Sequence, residues 1–320
     1  MQQLPSTRAD SAGASVQIVD LSIFNAEADV EGLVFQALAF IYQVADVFAF
    51  LVITAAGLAI IFGMMGIINM AHGEFITCGA YMTTLCVRGG APLPLAIGIG
   101  ALCAGLLGVV LERLIVRWFY NRPIDSLVAT WGISLILTQG ALLLLGSAWS
   151  SVGTPLGSVA FGNYSFAVYR IVMVAVAIAL LLGLYLLFTF TTFGVHARAT
   201  VQNASMARAL GVPVERIYCQ TFGSGAALAG LAGGLYAPTL TLSPTMGTGF
   251  VVEAFVTVVV GGANVLSGTA PASVVLAAIR AAITAGYGQV YGLIGLLVTV
   301  CIVIRVLPEG FSGWLARRRA

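Results

Sequence analysis

The chain has 320 residues, of which 60% are hydrophobic and 8% are charged, and its formal net charge is +2. A soluble globular domain carries about 25% charged residues, so the composition excludes a soluble fold and indicates an all-α polytopic membrane protein. The small net charge gives no reason to expect nucleic-acid binding.

All fourteen basic residues are arginine, so the lysine-dependent P-loop is absent and any ATP must bind another polypeptide. The five cysteines lack C-x-x-C spacing, which favours packing thiols over a zinc site or disulfides.

The N-terminal residues are polar and acidic, and they lack the basic and apolar regions of a signal peptide. We therefore expect three parts: a polar N-terminal extension (1–32), a transmembrane domain (33–307) and a cytoplasmic basic tail (308–320). The stretch at 33–45 is either an interfacial helix or part of a further span.

Apolar segments of spanning character follow one another from residue 46 onward. A spanning helix needs about 20 mostly apolar residues, and the segments predict about nine transmembrane helices (8–10), some of them short or broken. The segments are 46–68, 74–88, 92–111, 127–147, 168–193, 218–237, 250–264, 270–286 and 289–307.

Arginine positions predict the orientation, because cytoplasmic loops are enriched in positive charge. Loops 112–126 and 194–217 carry three arginines each, and three more end the chain at 317–319. Loop 148–167 has no charge. We therefore expect an extracytoplasmic N-terminus and a cytoplasmic C-terminus.

Two short segments each contain a carboxylate close to their predicted start, Glu74 and Glu253. Broken helices of opposite orientation suggest a transport site near the membrane midplane, and intramembrane charges usually face protein or a wet cavity. Each carboxylate is either a pathway residue that accepts hydrogen bonds from a substrate amide or ammonium, or a helix cap. Arg280 is expected to pair with a buried carboxylate or carbonyl.

Polar residues also surround the first break and the 127–147 segment. We expect Asn69 and His72 to orient the broken backbone. Thr130, Trp131 and Ser134 are predicted to share one helix face, where they line a polar path or bond neighbouring helices. No spacing suggests a metal site or a catalytic set. The predicted substrate pathway comprises Asn69, His72, Glu74, Thr130, Trp131, Ser134 and Glu253.

Loop 194–217 contains a short helix whose ends are recognisable. Asn203 is a suitable N-cap, Gly211 is placed to end the helix, and Pro213 prevents it from resuming. This is either an ordinary solvated loop or a helix that transmits force to a soluble partner. In the second case we expect coupling through Arg198, Asn203, Met206, Ala207, Arg208, Leu210 and Gly211.

Several segments resemble the branched-chain amino acid and urea class of ABC importer permeases. Residues 57–84 (GLAIIFGMMGIINMAHGEFITCGAYMTT) resemble the signature region of that class. Met70, the ATWG sequence at 129–132 and MGTGFVVEAF at 246–255 look closest to the urea branch, whereas 261–265 and 305–310 depart from it. Similar segments also occur at 127–137, 198–217, 223–238 and 246–262.

The resemblance implies an ABC importer permease fold and a subunit that moves urea or a short-chain amide across the bacterial inner membrane. It implies a second homologous permease, two cytoplasmic ATPase subunits that bind ATP and Mg²⁺, and an extracytoplasmic solute-binding protein. This chain itself would need no cofactor and would not be an enzyme. The alternatives are a branched-chain amino acid permease, a passive urea channel and an ion-driven carrier.

Overall fold

The computed structural model describes residues 14–120, 122–161, 164–262, 268–307 and 310–317, with the backbone alone for 14–33, 161, 164 and 314–317. Several positions discussed above lie outside the described residues, namely 263–265, Pro308, Glu309, Arg318 and Arg319.

A short antiparallel hairpin, β1 (Ser158–Phe161) and β2 (Tyr164–Ala167), pairs Val159 with Phe166. The helices are α1 (Ala14–Met65), α2 (His72–Arg88), α3 (Leu93–Leu114), a 3-10 helix (Val116–Phe119), α4 (Pro123–Leu145), α5 (Val168–Phe190), α6 (Thr192–Gln202), α7 (Ala204–Ala209), α8 (Val214–Tyr236), α9 (Met246–Gly261), α10 (Ala270–Tyr287), α11 (Gln289–Val306) and α12 (Gly310–Arg317).

Six of the described helices are long and apolar enough to cross a membrane: α3, α4, α5, α10, α11 and the part of α1 from Val34 onward. This confirms an all-α polytopic membrane protein. Each of the nine predicted segments coincides with a helix, but α2, α8 and α9 fall short of a full apolar span. With 17 and 16 residues, α2 and α9 reach only about 24–26 Å along a helix axis, against a hydrocarbon core of about 30 Å.

The short helices lie at the centre of the molecule, where glycine permits close contact. A methyl group added at Gly79 of α2 would overlap the backbone of Gly230 in α8, and one at Gly57 of α1 would overlap Gly225. Small residues let helices approach in this way where lipid offers no hydrophobic driving force. Helices α1, α2, α3 and α8 therefore form one tight bundle, and α5, α9 and α10 pack against α1.

The 33–45 stretch forms neither a separate interfacial helix nor a further span. It continues without a break into residues 46–65 as part of α1, which begins at Ala14. The boundary expected at 32–33 is therefore not a break in secondary structure. At the other end of the chain, α12 lies within the expected basic tail and contacts α9.

Candidate functional site

The break between α1 and α2, residues 66–71, is held by hydrogen bonds from side chains. Gly66 has a φ of +64° immediately after α1. The buried Asn69 accepts a hydrogen bond from the backbone N–H of Ala71 through Oδ1, at 3.1 Å. The Met70 N–H donates to the hydroxyl of Thr130 in α4, also at 3.1 Å. Asn69 thus orients the broken backbone, as expected, and Thr130 bonds a neighbouring element.

His72, the first residue of α2, fastens that helix to α1. Its side chain is fully buried, and Nε2 lies 3.0 Å from the carbonyl oxygen of Thr54. Because a carbonyl only accepts, we assign the proton to Nε2, which leaves Nδ1 as an acceptor. Neither Nδ1 of His72 nor Nδ2 of Asn69 has a partner among the described residues. Two polar atoms in the buried break are therefore open to a further partner.

Glu74 lies in the first turn of α2, as predicted, but its carboxylate bonds another helix. Its Oε1 accepts a hydrogen bond from Ser134 Oγ in α4 at 2.9 Å, and the residue is 5% exposed. Thr138, one turn further along α4, lies beside the same carboxylate. No arginine or histidine within the described ranges forms an ion pair with Glu74. The structure therefore contains a buried carboxylate with hydroxyl partners and no neutralising cation.

Trp131, which the prediction grouped with Thr130 and Ser134, differs from Thr130 in its exposure. Its side chain is 55% exposed, whereas Thr130 is buried. Thr138, which was not predicted, follows Ser134 by four residues, is buried and lies beside Glu74. Because residues four apart are neighbours on a helix, its spacing from Ser134 could have identified it.

Glu253 is not at a helix start, because α9 begins at Met246 and places this residue two turns inside the helix. The glycine-containing segment 246–249 forms the first turn, which the prediction had left outside the helix. The carboxylate of Glu253 pairs with the guanidinium of Arg280 in α10, and the side chains are 12% and 22% exposed. Arg280 thus pairs with a buried carboxylate, as expected. Glu74 and Glu253 bond different helices, and only Glu253 is neutralised.

The short helix in the 194–217 loop forms with the predicted cap. Asn203 Oδ1 accepts a hydrogen bond from the N–H of Met206 at 2.9 Å, and α7 follows directly. Gly211 has a φ of +87°, a conformation that side chains disfavour, and it follows the end of the helix. A second helix, α6, precedes α7, so most of this loop is helical. The guanidinium of Arg198 donates to the carbonyl of Phe188.

The surface of α7 is apolar in part and charged at its edge. Met206 and Leu210 are 58% and 78% exposed, whereas Ala207 is buried against the chain itself. Ala207, which was predicted among the coupling residues, is therefore not exposed to a partner. Arg208 and Glu215 form an exposed ion pair at 2.9 Å.

The pKa of Glu215 lies below its usual value because its own backbone N–H and then Arg208 hydrogen-bond to the carboxylate. Because the pKa of Glu215 is lower in the folded protein, these contacts stabilise the fold fully above the unfolded pKa of about 4.3. That stabilisation is lost as the pH falls through the folded pKa. The edge of α7 is thus fully charged at neutral pH.

Comparison with known proteins places this architecture in a family. Residues 40–306 match the family described as branched-chain amino acid transport system / permease component. The chain is 30% identical over 282 residues to a probable branched-chain amino acid transport permease protein, LivH, of Methanocaldococcus jannaschii, covering 82% of this chain and 88% of the relative. It is 27% identical over 277 residues to the high-affinity branched-chain amino acid permease BraD of Pseudomonas aeruginosa, with 81% and 90% covered. No solved structure matches the chain.

A further relative has a different named role. The autoinducer 2 import system permease protein LsrD of Escherichia coli O9:H4 is 28% identical over 277 residues, with 79% of this chain and 81% of the relative covered. The three relatives are named as permeases for branched-chain amino acids or autoinducer 2, and they give no support to the urea branch. The chain therefore belongs to the branched-chain amino acid transport permease family and is a multi-pass permease subunit of an ABC importer.

Proposed function

We propose that this chain forms part of the membrane pathway for aliphatic, branched-chain amino acids rather than for urea or a short-chain amide. The family and the relatives named for branched-chain amino acid transport support this substrate. The prediction of urea as the substrate depended on finer motif similarities and on the expectation of a pathway with little charge. The buried carboxylate of Glu74 argues against the expectation of little charge.

Glu74 is the observation that carries the proposal. It is a buried carboxylate, bonded by Ser134 and without a cationic partner among the described residues. An ionised carboxylate in a low-dielectric setting is costly unless it is paired. The ammonium group of an amino acid would supply the missing positive charge and donate hydrogen bonds. Urea, which is neutral, would supply donors but leave the charge uncompensated.

The other pathway residues then have supporting roles. Asn69, His72 and Thr130 keep the break in α1–α2 in a fixed conformation, so that Glu74 and Ser134 stay aligned. Glu253 is assigned to the structure rather than to the substrate, because Arg280 already neutralises it. Trp131, which is exposed, is not assigned to substrate contact.

The energy would come from ATP bound with Mg²⁺ on separate subunits, because this chain has no lysine for a P-loop. The working complex would contain a second permease, two ATPases and an extracytoplasmic binding protein. The exposed Met206 and Leu210 of α7 supply an apolar contact for an ATPase, with the exposed Arg208 at its edge. The family supports a location in the inner membrane, and the arginine distribution supports an orientation with the N-terminus outside and the C-terminus in the cytoplasm.

A transport assay with a panel of solutes tests the substrate. The complete complex is reconstituted in proteoliposomes with its binding protein, and ATP-dependent uptake of labelled leucine is measured against unlabelled competitors. We expect valine and isoleucine to compete and urea and acetamide to have no effect. ATP-dependent uptake of labelled urea, together with failure to import leucine, would contradict the proposed substrate while leaving the family assignment in place.

A further inference from the structure

A groove of about 270 Å³ lies between α1 and α5, and no residue of the α1–α2 break lines it. One end is polar and the rest of its wall is aliphatic. Helix α5 has the highest mean hydropathy of the six apolar spans, and only 17% of its most apolar window is buried. A surface of this kind faces lipid. The residues along the groove are Tyr42, Ala45, Asp46, Arg170, Ile171, Val174, Ala175 and Ile178.

The polar end of the groove carries one positive and one negative charge. Arg170 Nη1 lies 2.6 Å from Asp46 Oδ2, and the side chains are 50% and 22% exposed. Tyr42 donates a hydrogen bond to the carbonyl of Ala167 at 3.1 Å, which fixes α1 to the start of α5. Arg170 is the third residue of α5, so this polar end lies at the membrane boundary, where lipid headgroups are found.

The pairing of charges determines which headgroup fits. Arg170 has five N–H donors in a fork that suits phosphate, and Asp46 occupies only part of that fork. Because Asp46 balances Arg170, an anionic headgroup meets no net positive charge. A headgroup with both a phosphate and a primary ammonium can pair with both residues. The acyl chain would lie against the aliphatic wall formed by Ile171, Val174 and Ile178.

We propose that this groove binds one phospholipid with an ethanolamine headgroup, its phosphate on Arg170 and its ammonium on Asp46. The site is separate from Glu74, so the proposal does not depend on the substrate. An aliphatic amino acid carries the same two charges, but the groove faces lipid rather than the central bundle.

Native mass spectrometry of the assembled complex tests the site with three lipids of matched acyl chains: phosphatidylethanolamine, phosphatidylcholine and phosphatidylglycerol. Phosphatidylcholine is the informative comparison, because its quaternary ammonium has no N–H to donate to Asp46. We expect phosphatidylethanolamine to be retained about tenfold better than either of the others, which corresponds to about 1.4 kcal/mol. Equal retention of the three lipids would overturn the proposal.

Variants then assign the binding to the groove. Arg170→Ala should abolish the retention, and Asp46→Asn should keep phospholipid binding but remove the preference for ethanolamine over choline. Ala175→Trp should fill the groove and displace the lipid without changing either charge, which separates lipid loss from a folding defect. The matched control is Arg88→Ala, because Arg88 bonds Ser150 and lies over Trp149 instead. Retention unchanged in Arg170→Ala and Ala175→Trp, or displacement of the lipid by leucine, would contradict the assignment.

Discussion

Two carboxylates that look equivalent in the sequence have different surroundings in the structure. Glu74 has hydroxyl neighbours, Ser134 and Thr138, and no cationic partner among the described residues, whereas Glu253 is paired with Arg280. The difference is electrostatic: a paired charge stabilises the fold locally, whereas an unpaired buried charge favours a cationic ligand. We therefore propose a substrate role for Glu74 and a structural role for Glu253 at the contact between α9 and α10.

The contribution of the ion pair between Glu253 and Arg280 to stability can be tested by substitution. Glu253→Gln leaves a largely buried guanidinium without its partner, so we expect the free energy of unfolding in detergent micelles to fall by about 3 kcal/mol. The double variant Glu253→Gln/Arg280→Met removes both charges and should recover most of that loss. An unchanged unfolding midpoint in the single variant would show that the pair contributes nothing to stability.

Single residues were predictable where their partners lie close in the sequence. Asn203 caps a helix through an N–H three residues away, and Gly211 follows the same helix, so local spacing identifies both. Arg280 lies 27 residues from Glu253, and their pairing depends on how α9 packs on α10. The sequence suggested a partner for Arg280 but could not specify which one.

At the scale of elements, the contact between α2 and α9 depends on two glycines that face each other. A methyl group on Gly247 would overlap the backbone of Gly73, whereas one on Gly249 would meet nothing within 4 Å. Gly247 and Gly249 both lie in the first turn of α9. The same substitution can therefore be compared at a position with no space for a methyl group, Gly247, and at one with space, Gly249. The helices here are held by backbone proximity rather than by large side chains.

We expect Gly247→Ala to separate α2 from α9 and to lower both stability and transport. Overpacking of this kind costs about 1–3 kcal/mol. Gly249→Ala should be neutral or slightly stabilising, because alanine favours the helix and has room at this position. Thermal unfolding of the two variants in the same detergent makes the comparison, and equal midpoints would show that the close contact is unimportant.

The exposed face of α7 gives a second test at this scale. Leu210→Asp places a charge in the proposed apolar contact with an ATPase, so uptake and ATPase co-purification should both fall while membrane insertion is unchanged. The control is Ser205→Asp, which adds the same charge at an exposed position on the opposite side of α7. Retained co-purification and full transport in Leu210→Asp would rule out this face as the ATPase contact.

For the whole molecule, the sequence predicted where the apolar helices lie along the chain better than how they pack together. Each of the nine segments coincides with a helix over the described residues, because apolar length is a local property. The central position of α2 and α8 depends instead on glycine contacts between distant parts of the chain, such as Gly79 with Gly230. The start of α1 was also missed, because residues 1–32 were predicted as a polar extension, whereas α1 begins at Ala14.

We propose that Glu74 carries a charge that an imported amino acid neutralises. The measurement is the initial rate of ATP-dependent leucine uptake by proteoliposomes that contain the complete complex, with Glu74→Gln compared with wild type. We expect a loss of about tenfold or more, because a hydrogen bond to a charged group contributes about 1.5–3 kcal/mol, while Asp125→Asn, at an exposed carboxylate, retains full uptake. Wild-type leucine uptake in Glu74→Gln would contradict the account.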